Sequence, residues 1–164
     1  MTDVKYLLLP VFLLGLTTAT LAQGTGVAFG TIRQDTGLPV EMSADNLAVD
    51  QETGKAIFTG NVVVGQGDMR LSAARVLVVY RGDSDGIQRL EATGGVTLVS
   101  GPDAAEAERA DYNIDTGTIE MSGNVLLSQG RSALSADRMS VRLYDGTARM
   151  SGLVRTILQS GSNN

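Results

Sequence analysis

Ala56-Ile57-Phe58-Thr59-Gly60-Asn61-Val62-Val63-Val64 and Ile119-Glu120-Met121-Ser122-Gly123-Asn124-Val125-Leu126-Leu127 are two copies of one pattern. An alternating run is interrupted by a Gly-Asn step and then resumes. Alternation with a period of two marks a strand with one buried face. The closing triplet Gly-x-Val recurs at Gly60-Asn61-Val62, Gly94-Gly95-Val96, Gly123-Asn124-Val125 and Gly152-Leu153-Val154, a period of about 30 residues. Each triplet follows an Ala-led pair: Ala44-Asp45, Ala74-Arg75, Ala110-Asp111 and Ala136-Asp137. A hairpin unit this small cannot bury its own apolar face, so it must stack on its neighbours. The sequence therefore predicts an all-β stack of hairpins, an architecture that points to binding rather than catalysis.

Aligning the units on this repeat gives an inward set. The first strands carry Leu47 and Val49, Leu77 and Val79, Tyr112 and Ile114, and Met139 and Val141. The return strands carry Ala56 and Phe58, Leu90 and Ala92, Ile119 and Met121, and Ala148 and Met150. Past the Gly the same face continues through Val62 and Val64, Val96 and Leu98, Val125 and Leu127, and Val154. Met69, Leu71 and Leu134 begin the connecting strands. Ile57, Val78, Glu91, Asn113, Glu120, Ser140 and Arg149 are assigned to the opposite face. The inward set is mostly small and flexible aliphatics. It fits either an ordinary packed core or a groove for an apolar partner, and periodicity alone does not decide between them.

Between the strands, Asp50 to Gly54, Asp115 to Gly117 and Asp145-Gly146 read as hairpin turns. Asp83-Ser84-Asp85-Gly86 resembles half of a calcium loop but lacks the remaining ligands, so it also reads as a turn. Asp103 to Arg109 has helical propensity, yet its place in the repeat assigns it to a strand or loop. Pro39 precedes a first edge strand, Val40 to Ser43, and Val27-Ala28-Phe29 forms a possible short strand in a lead-in at 23–37. Residues 1–22 have the form of a secretory signal peptide: Lys5, an apolar run from Tyr6 to Leu21, then Thr20-Leu21-Ala22 before Gln23. The alternative is a retained membrane anchor. Residues 159–164 read as a disordered tail.

Composition narrows the function. The chain of 164 residues has no His and no Cys. That removes the usual general base near neutral pH, the thiol nucleophile, and the nitrogen and sulfur ligands of zinc, haem and iron–sulfur sites. No catalytic residue, metal site or cofactor is expected. The net charge of −5 is the wrong sign for a nucleic-acid binder. Arg75, Arg109, Arg138 and most other arginines fall on outward positions and read as a solvated face.

Leu38-Pro39-Val40-Glu41-Met42-Ser43-Ala44-Asp45 resembles the opening strand of OstA-like domains, the family of periplasmic lipopolysaccharide-transport proteins. The Gly-Asn-Val segments at 60 and 123 and Leu134-Ser135-Ala136-Asp137-Arg138-Met139 fit the same pattern. The resemblance covers residues 38–158. It implies a β-jellyroll of two antiparallel sheets in a twisted V, whose inward face holds the acyl chains of lipid A. It further implies copies stacked head to tail through their edge strands. Such a stack would work in the periplasm between inner-membrane and outer-membrane transport components.

Overall fold

The computed structural model describes residues 25–28, 36–82 and 86–157. The signal-peptide reading of residues 1–22, Phe29, the Asp83 to Asp85 turn and the tail at 159–164 lie outside the described residues.

Strands follow one another along the chain: β1 (Thr25–Ala28), β2 (Glu41–Ser43), β3 (Asn46–Asp50), β4 (Lys55–Gln66), β5 (Met69–Tyr80) and β6 (Ile87–Ser100). Then come β7 (Asp103–Asn113), β8 (Thr118–Gln129), β9 (Ser132–Arg142), β10 (Thr147–Ser151) and β11 (Arg155–Ile157). They form one antiparallel sheet ordered β1-β10-β9-β8-β7-β6-β5-β4-β2, with β3 also on β4 and β11 also on β9. Only β1 departs from a meander, pairing at the far edge. Asp103 to Arg109 is strand, as its place in the repeat required.

Each long strand is broken near its middle by a bulge. Between Thr59 and Val62, β4 passes two residues, Gly60 and Asn61, against Ala74 alone on β5. The same offset recurs at Gly94-Gly95 and at Gly123-Asn124. At the two sheet edges the break is complete, so β2/β3 and β10/β11 are each one strand split at Ala44-Asp45 and Gly152-Leu153. Gly60 and Asn61 have φ of +79° and +45°, Gly123 and Asn124 +83° and +49°. Asn is the side-chain-bearing residue that best tolerates this region, which accounts for the Gly-Asn pairs. A Cβ on Gly123 would lie 2.6 Å from Glu108 Oε2. Asn124 Nδ2 instead donates to Glu108 Oε1 at 2.7 Å, and Asn61 Nδ2 to Asp45 Oδ2 at 2.9 Å. Acid and Gly-Asn thus interlock across neighbouring strands in the first and third units.

The bulges bend the sheet into two layers. One layer holds the strand segments on the side of the 50–55 turn, the other those on the side of the 67–68 turn. Each layer buries one face against the other, and Val62, Val64, Met69, Val76, Leu98, Ile119 and Val141 are fully buried.

The bulges also correct the alignment of two units. Strands carrying Gly-x keep their inward parity across the break, as Phe58 to Val62 does. Strands carrying the Ala-led pair reverse it: on β5 Ala73 is inward, and so are Val76 and Val78. The partner of Gly94 is Ala74, so the second unit's pair is Ala73-Ala74 rather than Ala74-Arg75. The expectation that Leu77 and Val79 point inward is therefore wrong by one residue; both lie half-buried on the outer face. The partner of Gly123 is Glu108, so the third unit's pair is Ala107-Glu108 rather than Ala110-Asp111. Tyr112 is inward on either alignment.

Leu47 and Val49 need a different correction. They pair with Phe58 and Ala56 and share their face, but they are 55% and 62% exposed. Their strand is an edge, and among the described residues none on its outer side covers them.

Candidate functional site

The interior between the layers is the candidate site. Of the residues expected to line it, Ala56, Val62, Val64, Leu90, Val96, Leu98, Tyr112, Ile119, Met121, Val125, Leu127, Met139, Val141 and Met150 are buried there. Phe58 and Ile114 are half-buried against the same core. Leu77 lies outside it, and Leu47 and Val49 stand at its open edge. The lining missed by periodicity includes Val76, Val78, Ala105 and Leu143. A parity reversal at each Ala-acid pair was the signal that would have found Val76 and Val78.

This lining is almost wholly aliphatic, and its middle is closed: Met121 is 1% exposed and Leu127 0%. Facing side chains fill one another's space. A guest inside must therefore part the layers, and the flexible Met121, Met139 and Met150 side chains suit repacking around it.

Polar side chains mark where the layers meet. Gln66 on β4 is buried and accepts a hydrogen bond from the Tyr112 hydroxyl on β7. Burial pushes the Tyr112 hydroxyl up to about 12, with the Gln66 bond pulling the other way. Gln66 Nε2 donates to the carbonyls of Leu38 at 2.9 Å and Thr36 at 3.2 Å. Gln129, at the matching end of β8, donates to Asp103 Oδ2 at 2.8 Å and to the Ala28 carbonyl. Two equivalent glutamines therefore hold Ala28, Thr36 and Leu38 along one rim. The rim is polar and hydrogen-bonded, while the trough behind it is apolar.

Outside the trough the charges are dispersed. Among the described residues, surface ion pairs join Arg81 to Asp115, Arg89 to Glu91 and Arg142 to Asp145. No cluster of acidic residues among the described residues has the geometry to hold a metal ion. The chemistry the interior offers is burial of apolar matter.

Residues 41–147 match the family described as LptA/(LptD N-terminal domain) LPS transport protein. An uncharacterised protein of Rhizobium meliloti is 33% identical over 111 residues, 63% of this chain and 59% of that protein. The lipopolysaccharide export system protein LptA of Escherichia coli is 32% identical over 60 residues, 37% of this chain and 32% of that protein. The matched segments thus span less than two thirds of these curated relatives. The crystal structure of LptH from Pseudomonas aeruginosa, titled the LptA-homologous periplasmic component of the lipopolysaccharide transport device, superposes with a TM-score of 0.68 at 15% identity. That superposition covers 77% of this chain and 99% of LptH, and it places the fold with the LptA-type β-jellyroll.

Proposed function

We propose a function from one premise: this chain belongs to the family of LptA/(LptD N-terminal domain) lipopolysaccharide-transport proteins. Its role is to carry lipopolysaccharide through the periplasm, with the acyl chains of lipid A between the two layers. The observation that carries this reading is an interior lined end to end by aliphatic side chains and opening at a sheet edge through Leu47 and Val49. Each CH₂ transferred from water into such an interior gains about 0.8 kcal/mol. Several acyl chains held together would leave it only for another apolar surface, which suits hand-over from one carrier to the next.

Stacking supplies that next surface. One edge of the sheet is an Ala-acid strand, β2/β3, and the other a Gly-x strand, β10/β11. Inside the sheet Gly-x strands alternate with Ala-led strands from β2/β3 to β11, Ala73-Ala74 of β5 taking the place of an Ala-acid pair. Joining the C-terminal edge of one copy to the N-terminal edge of the next continues the alternation. Head-to-tail contacts of this kind do not close and give a filament. Such a filament would join inner-membrane and outer-membrane transport components. The signal-peptide pattern at 1–22 and the periplasmic setting of LptH both support a periplasmic location.

A solid-core structural repeat is the competing reading, and the near-zero exposure of the interior favours it. Native mass spectrometry of the protein mixed with lipopolysaccharide separates the two. A carrier retains lipid at a fixed stoichiometry; a solid-core repeat emerges lipid-free even after incubation with excess lipid.

A further inference from the structure

We infer that β1 is an internal stand-in for β3 of a following copy, and that it must leave β10 before copies can stack; this rests on the stacking reading above. On β4 the strand pairing opposite Phe58, Ile57, Ala56 and Lys55 is Leu47, Ala48, Val49 and Asp50. Counting from the bulge glycine, Gly60 on β4 corresponds to Gly152 after β10. Phe58, Ile57, Ala56 and Lys55 then correspond to Met150, Arg149, Ala148 and Thr147. These four are the residues that β1 pairs: Thr25 with Met150, Gly26 with Arg149, Val27 with Ala148, and Ala28 with Thr147. β1 therefore occupies the slots that Leu47, Ala48, Val49 and Asp50 of another copy would take. Val27 sits in the slot of Val49 and is half-buried against the core, as an inward edge residue should be.

The stand-in is incomplete in ways that make it displaceable. β1 is four residues long and covers only the β10 half of the edge. Among the described residues the β11 half, Arg155–Ile157, has no strand on its outer side, and Ile157 is 68% exposed. β1 includes Gly26, a weak strand residue whose Cβ position is open space. The incoming edge would bring the whole split strand, β3 for β10 and β2 for β11. It would also cover Leu47 and Val49, which are left exposed in the single copy. The contest is between a short tethered strand and a longer untethered one. A tethered competitor sets a concentration threshold for stacking, because only the fraction of molecules with a free edge can accept a partner. β1 also lies outside residues 41–147, the span that matches the family.

Three variants of the full chain test this by sedimentation velocity across a concentration series. Val27→Pro removes a backbone N–H and fixes φ, which a paired strand position does not tolerate. It should lift β1 and tighten self-association by about tenfold or more. Ala28→Cys with Thr147→Cys places two thiols directly opposite each other in a chain that has no other cysteine. Oxidised, it should stay monomeric where the wild type stacks; reduced, it should stack again. Val49→Arg added to Val27→Pro should abolish the gain, since it blocks the incoming edge. Faster amide exchange at 147–150 in the Val27→Pro monomer reports that β1 has left. If Val27→Pro exposes those amides and stacks no better than a stacking wild type, the stand-in is refuted while stacking survives. If neither stacks at any concentration with those amides exposed, the stacking reading falls, and the role given to β1 falls with it.

Discussion

The Tyr112 hydroxyl on β7 donates to Gln66 Oε1 on β4, a partner three strands away along the sheet order. Strands that far apart meet only because the sheet is folded on itself, with Gln66 beyond its strand's bulge and Tyr112 on the other side of its own. This one bond closes the two layers at the rim. Replacing Tyr112 by Phe leaves buried Gln66 Oε1 without that donor and should cost about 1–3 kcal/mol in urea unfolding.

The same residue makes stability depend on alkaline pH. Its folded value, about 12, lies above the ordinary tyrosine value of 10.0. Between those values the unfolded chain has released the proton and the folded chain has kept it, so stability falls as pH rises. The contribution is intact below pH 10 and lost by about pH 12, at about 1.4 kcal/mol per pH unit between. Urea midpoints from pH 8 to 12 should show this extra slope in the wild type and not in Tyr112→Phe.

The bulge glycines should separate from the turn glycines. Gly123→Ala meets both a positive φ and the Glu108 side chain. Gly130→Ala meets a positive φ of +56° with nothing within 4 Å. The φ strain alone costs about 1–2 kcal/mol. Thermal unfolding should therefore place Gly123→Ala clearly below Gly130→Ala, and equal losses would contradict the interlock of acid and bulge.

The parity reversal in β5 is testable by two adjacent substitutions. Val78 is 1% exposed, while Leu77 is on the outer face. Val78→Asp buries an unpaired charge and should cost more than about 3 kcal/mol. Leu77→Asp should stay within about 1 kcal/mol of wild type. Denaturant titration of the pair decides the register, and the reverse order would restore the unbroken alternation.

These cases show what the sequence carries and where it stops. Period-two alternation suffices for the strands β4, β6 and β8 because the Gly-x bulge preserves parity, so Phe58, Val62, Met121 and Val125 share the face turned to the core. It failed for β5 because the complementary Ala-acid strand shifts by one, and Ala73-Ala74-Arg75 offers two alignments that differ by that residue. Only the close approach of Ala74 to Gly94 selects between them. Leu47 and Val49 were given the right face but not their exposure, since exposure at an edge depends on the absence of a neighbour rather than on local pattern. The Tyr112–Gln66 rim joins positions that no repeat relates, so nothing local announces it.

The carrier reading is tested most directly by photo-crosslinking in cells, with a benzoyl-phenylalanine probe at Phe58 or Met121 and a control at outward Glu120. An interior that holds acyl chains predicts lipopolysaccharide adducts from both inward probes and none from Glu120. Folded, exported protein that yields no adduct from either inward probe would contradict it and leave a solid-core repeat.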